Sequence, residues 1–174
     1  EGCIDGGDVR NPLGEEHMRG PHTVLLAGCR NMKMRNFQVK RSANYAFLAY
    51  LLDQSTFSNL SIEGGWDGIH IRGSHDVKIE RCRIYTGDDA IAGGYWKNMK
   101  ISRCVLNSSC NGIRMIMPSV GLEVADCHIY GPGRFPHITS QRTNSEHAIN
   151  LEPGAWGKAP GHMDRILIRR NRVE

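Results

Sequence analysis

The sequence predicts an all-β chain wound as a parallel β-helix, a solenoid of about 22 residues per coil. Three observations predict it. Phe47, Ile69, Ile91 and Ile113 follow one another at steps of 22 residues. A second apolar pattern of nearly the same period interleaves with them. Asp67, Asp89 and Asn111 keep the 22-residue step as well, so polar side chains recur at a fixed point of the repeat. Apolar recurrence at such periods marks a repeat architecture in which each unit buries its face against the next.

The second pattern is two apolar residues two apart, then, after a gap of three, two more positions two apart. It reads Met32, Met34, Phe37, Val39, and more weakly Ser55, Phe57, Leu60, Ile62. It continues as Val77, Ile79, Cys82, Ile84, then Met99, Ile101, Cys104, Leu106, then Leu122, Val124, Cys127, Ile129. A last copy is Ile166, Ile168, Asn171, Val173. Alternation at period two within each run predicts strands. The Gly, Asn, Ser and Asp between runs predict turns. About three short strands fit into each repeat, and each is expected to pair with its equivalent one coil away. A leucine-rich repeat has a similar period, but its Leu-x-x-Leu-x-Leu pattern is missing.

Ile149 follows Ile113 by 36 residues, one coil plus an excess. The excess predicts a polar loop insertion near 131–145, leaving the coil beside the acidic column. A smaller loop, carrying Trp156 and Pro160, runs from Ala155 to Met163. The whole of 1–174 is expected to form a single β-helix domain. The opening Glu1-Gly2-Cys3-Ile4-Asp5 reads like the middle of a protein, and end caps are lacking, so a fragment of a longer helix is expected.

Composition narrows the function. Hydrophobic residues make up 40% and charged residues 23%, which excludes a disordered chain. The net charge of +4 tolerates an acidic polymer but is not the footprint of a nucleic-acid binder. No apolar run is long enough for a membrane helix. Cys82, Cys104 and Cys127 read as disulfide or metal partners, or as a column of buried free thiols. Burial is the commoner fate of free Cys, and no Cys-x-x-Cys pair points to zinc.

Aligning the repeat on its Ile column gathers the polar residues. Two positions earlier stand Tyr45, Asp67, Asp89, Asn111 and His147; three earlier, Asn44, Trp66, Asp88, Cys110 and Glu146; one later, Leu48, His70, Ala92, Arg114 and Asn150. Asp67, Asp88 and Asp89 are the centre of this patch. Like charges on neighbouring turns raise at least one pKa, leaving a protonated acid beside an ionised base, as glycosidic hydrolysis requires. A single Asp reads as a turn cap, and a carboxylate cluster also suits calcium; three in register read as catalytic. His70, Arg72, Asn111, Arg114, His147 and Asn150 are candidate substrate ligands, and Trp66 and Trp96 candidate platforms for sugar rings. No metal or cofactor is called for.

Trp66-Asp67-Gly68-Ile69-His70-Ile71 followed by Gly87-Asp88-Asp89-Ala90-Ile91-Ala92 resembles the Asn-Thr-Asp and Asp-Asp-Cys-Ile-Ala motifs of the polygalacturonases, glycoside hydrolase family 28. The lead-in Gly2-Cys3-Ile4-Asp5-Gly6-Gly7, Arg19-Gly20-Pro21 and Cys29-Arg30-Asn31-Met32 is similar too, so the resemblance covers most of residues 1–130. It implies a right-handed helix and metal-free inverting hydrolysis of a pectin-like polysaccharide by a secreted or periplasmic protein. It makes Asp88 the general acid, with Asp67 and Asp89 activating water. The family's Gly-His-Gly falls near Cys110-Asn111-Gly112, without the His, and His147-Ala148-Ile149-Asn150 stands where its Arg-Ile-Lys belongs. Arg114 and His147 are therefore expected to take over substrate binding, on a plant or algal polysaccharide. Two other functions fit the fold: a polysaccharide lyase with Arg114 as base and calcium on the acids, or a non-catalytic glycan-binding module.

Overall fold

A computed structural model describes residues 2–174. Its strands form three parallel sheets of seven, six and six strands. Successive strands of the chain fall in different sheets, and each pairs with its counterpart one coil away. The chain is thus a parallel β-helix with about 23 residues per turn. One short 3-10 turn, Glu15–His17, is its helical content among the described residues.

The second sheet carries the Ile column. Its strands are Val24–Ala27, Phe47–Tyr50, Ile69–Arg72, Ile91–Gly94, Asn111–Met115 and His147–Leu151. Phe47, Ile69, Ile91, Ile113 and Ile149 lie opposite one another in register. Phe47, Ile69, Ile91 and Ile113 are fully buried. Side chains alternate along a strand, so with Ile69 and Ile71 inside, His70 faces outward. The other two sheets supply the remaining columns, Met34–Phe57–Ile79–Ile101–Val124–Ile168 and Val39–Ile62–Ile84–Leu106–Ile129–Val173, buried through the middle coils and exposed at their last members, Ile168 and Val173. A deletion from these columns leaves a void that the stacked neighbours cannot close without shifting register.

The cysteines are free. Cys82, Cys104 and Cys127 stack inside the corner between the third and first sheets. Each thiol donates to the carbonyl two residues before it, on Glu80, Ser102 and Ala125, at 3.4, 3.3 and 3.4 Å. The column is a satisfied apolar lining.

The corners need left-handed backbone. Between the second and third sheets that position is held by Gly28, Leu51, Gly73 and Tyr95, all with positive φ. Leu51 adopts φ +51° with its side chain two-thirds exposed, so it bears the steric cost of this conformation with little burial in return.

Three segments leave the coil. The first connects Gly2–Asp5 to Val24–Ala27 and contains the 3-10 turn; the second connects His128–Tyr130 to His147–Leu151; the third connects His147–Leu151 to Asp164–Arg169. All three send side chains to the outer face of the second sheet. The rigid columns set the floor there, and the excursions build the walls.

Two substitutions test this account by thermal unfolding. Ile91→Ala should destabilise the protein by about 3 kcal/mol through the cavity it opens. Leu51→Gly should stabilise it by up to about 1 kcal/mol by relieving the left-handed strain.

Candidate active site

The acids are held by the same ladder that builds the sheet. Backbone N–H groups of Ala46, Gly68 and Ala90 donate to the carbonyls of Asp67, Asp89 and Asn111, one coil on, at 2.9, 3.0 and 2.9 Å. The side chains repeat the pattern. The Asp89 N–H donates to Asp67 Oδ1 at 3.2 Å, and the Asn111 N–H donates to Asp89 Oδ1 at 3.1 Å. Each carboxylate therefore caps the equivalent residue of the next coil. The residue after Asp67 must be small: a Cβ on Gly68 would stand 2.5 Å from both the Ala90 carbonyl oxygen and the Ile84 side chain.

Asp67, Asp88 and Asp89 converge on one open cleft of about 630 Å³. Asp67 and Asp89 form its buried floor, while Asp88 is partly exposed. Burial, then the Asp88 charge, pushes the Asp67 carboxyl well above the usual range. Burial and the other two acids push Asp89 up to about 7, against the pull of Asn111, whose Nδ2 donates to Asp89 Oδ1 at 2.7 Å. Asp88 Oδ2 lies 4.0 Å from an Arg19 nitrogen and 3.9 Å from His137 Nε2.

The other predicted residues separate into three groups. His70, Arg72 and Arg114 line the cleft. His70 is buried, stacks flat on Tyr45 at 4.7 Å, and sits 2.6 Å from Asp67 Oδ2 through Nδ1. Arg72 donates from Nε to His70 Nε2 at 2.9 Å. Arg114 approaches Asp89 Oδ2 at 3.7 Å. Asn111 lies behind the acids, orienting Asp89, and its Oδ1 meets His147 Nδ1 at 3.0 Å. His147 and Asn150 continue the columns one coil further, outside the cleft lining.

The two tryptophans are corrected. Trp96 is buried in the core, where its Nε1 donates to the Ile71 carbonyl at 2.8 Å. Trp66 is equally buried, with the Arg19 guanidinium 3.7 Å above its ring and His137 on its edge. Neither ring has a face for a sugar. Trp96 packs in the main core, while Trp66 packs in a separate cluster with Tyr45 and Leu48, uses of aromatic bulk that period counting alone does not distinguish from display.

The excursions bring in residues that the column alignment did not find. Arg19, from the first, is buried against Trp66, donates to Glu16 at 2.6 Å and to the Tyr45 hydroxyl at 3.4 Å. The loop at 131–145 supplies His137, Thr139 and Arg142. Arg142 Nε donates to the Ser109 carbonyl at 3.3 Å and its guanidinium pairs with Glu146. Ser109 Oγ in turn donates to the Phe135 carbonyl at 2.6 Å, pinning the loop to the coil. Trp156, from the third excursion, is half-exposed at the rim with Arg72 4.6 Å from its ring centre. The one sequence signal for them is that each lies in a stretch interrupting the period.

Two groups of side chains stand close enough to share a cation. Asp88, Asp89 and Cys110 have ligand atoms within 4.8 Å of one another, as do Asp53, His75 and Asp76 on another corner. Burial and the neighbouring acids push the Cys110 thiol far up, so it remains protonated and is a poor ligand in the first group.

The raised acids have a consequence for stability. Asp89 is near the ordinary carboxylate value when unfolded and about 7 when folded. Between those values the folded form holds a proton that the unfolded form lacks, so stability falls as pH rises from about 4 to 7 and levels off above. Asp67, shifted in the same direction, adds to this slope. Asp89→Asn should remove its share, on the order of a few kcal/mol. The check is a higher Tm than wild type at pH 8, with the difference vanishing near pH 4.

No curated protein and no solved structure gives a significant match to the chain. A family model described as a right-handed beta helix region matches residues 16–150. That stretch contains the three acids, their supporting columns and the loop that walls the cleft. The chain belongs to the right-handed β-helix family.

Proposed function

We propose that this chain is a glycoside hydrolase that cleaves an acidic plant or algal polysaccharide, pectin-like, by inverting acid–base catalysis. The observation that carries this reading is the convergence of Asp67, Asp88 and Asp89, from two adjacent coils, on one cleft. β-Helix domains of this family also occur in pectin-degrading enzymes. Asp88, the carboxyl most open to the cleft, is the proton donor to the leaving glycosidic oxygen. Asp89 and Asp67 take a proton from a water that attacks the anomeric carbon from the opposite face. An Asp89 poised at about 7 suits a base working near neutrality. One C–O bond breaks and one forms. The water's proton is left on the base, and exchange with solvent through the open cleft restores both groups.

The charge of the walls supports an acidic substrate. Arg19, Arg72, Arg114 and Arg142 surround the acids. The Nε atoms of Arg19 and Arg114 are buried with no hydrogen-bond partner among the described residues. Guanidinium groups suit capture of sugar carboxylates. A polymer of this kind fits a secreted or periplasmic setting.

The test is reducing-end release from polygalacturonate and a panel of algal polysaccharides. Asp88→Asn and Asp89→Asn should each lower it by about 100-fold or more while the fold, followed by circular dichroism, survives. Wild-type turnover in folded Asp88→Asn would sink the assignment. A calcium-dependent, ultraviolet-absorbing unsaturated product would instead mark elimination, with Arg114 as base. Arg114→Ala should raise KM for polygalacturonate by about 10-fold or more, as expected for a lost charged hydrogen bond.

A further inference from the structure

His70 occupies an unusual place for a histidine at a binding cleft. It is about 1% exposed, so it offers a substrate almost no surface. Both ring nitrogens are engaged by the protein. Arg72 donates to Nε2 at 2.9 Å, and a guanidinium has only donors to offer. Nε2 must therefore present its lone pair. A neutral imidazole with a bare Nε2 carries its proton on Nδ1, and Nδ1 lies 2.6 Å from Asp67 Oδ2. The reverse arrangement, a protonated Asp67 donating to Nδ1, would leave both nitrogens bare and the ring an anion.

We infer that His70 is a positioning residue whose Nδ1–H donates to Asp67, favouring its ionised form and orienting it toward the attacking water, with Arg72 fixing the tautomer. The inference deepens the hydrolase reading and rests on it for the role of the water. The second Asp67 oxygen already accepts the Asp89 N–H at 3.2 Å. Asp67 thus has a donor on each oxygen, and these two hydrogen bonds oppose the burial and Asp88 charge that favour its protonated form. Tyr45 completes the device from the preceding coil: its ring lies parallel to the imidazole, within 1°, and blocks rotation of the ring. Burial, with Arg72, lowers His70 to about 3, so the ring stays neutral across the working range. The other charged groups facing the pair are Arg19, Asp88, Asp89 and Arg114, with the His22 ring tilted against Tyr45 at 5.0 Å.

The test uses two variants that divide the imidazole. His70→Asn puts an amide N–H near the Nδ1 position; His70→Gln puts one near Nε2 and leaves Asp67 without its donor. In the wild type, nitrogen NMR should find Nδ1 protonated and Nε2 bare from pH 8 to pH 5. Carbon NMR of the labelled Asp67 carboxyl should give a midpoint about one unit higher in His70→Gln than in wild type, and a near wild-type value in His70→Asn. The acid limb of reducing-end release from polygalacturonate should move up in the same order. A His70 that titrates near the ordinary histidine value, a proton on Nε2, or equal Asp67 midpoints in the two folded variants would overturn the inference. A wild type that cleaves no polysaccharide would remove the hydrolase reading, while the two NMR measurements would still decide what His70 does to Asp67.

Discussion

The hydrogen-bonded pairing of each coil with the next is the interaction on which the molecule depends. It is in register through the second sheet, so one phase relation governs both the inner and outer faces. On the inside it stacks Phe47, Ile69, Ile91 and Ile113 into a dry column. On the outside it sets Asp67, Asp89 and Asn111 one above another, each carboxylate accepting an N–H from the following coil. A slip of one residue would turn the Ile column outward and break the stacking of the acids. Apolar burial therefore enforces the geometry of the acids.

Stacking acids at the spacing of a β-ladder is costly, and the surroundings offset it in graded ways. Asp67 has two donors, Asp89 has the two nitrogens of Asn111 and a more distant Arg114, and Asp88 is open to water between Arg19 and His137. Three chemically identical carboxyls thus acquire three environments. Differentiation of this kind is what acid–base chemistry needs from a pair or triad of like groups.

The repeating part of this arrangement was legible in the sequence because it is periodic. The Ile and Cys columns, and the acids at the same phase, follow from counting residues in steps of 22 and 23. What was not legible lies in the segments that break the count. Arg19, His137, Arg142 and Trp156 come from three excursions whose paths depend on tertiary contacts such as the Ser109–Phe135 hydrogen bond. Trp66 and Trp96 were misread for a different reason. Burial of an indole is decided by its partners, and here Ile71 holds Trp96 in the main core while Arg19 covers Trp66 in a separate cluster. His147 and Asn150 hold their expected columns, but the cleft ends one coil earlier.

The side-chain ladder from Asp67 to Asn111 also bears on how such a protein can change. A solenoid grows by whole turns, because an inserted unit that keeps the phase finds the same neighbours above and below. A turn duplicated before Tyr45 would lengthen the rod and leave the acids in contact. The same duplication between Asp67 and Asp89 would separate them by a full coil and dissolve their mutual influence. The acid-bearing neighbourhood is thus the stretch of this rod least free to accept new modules, while the flanking turns remain open to elongation.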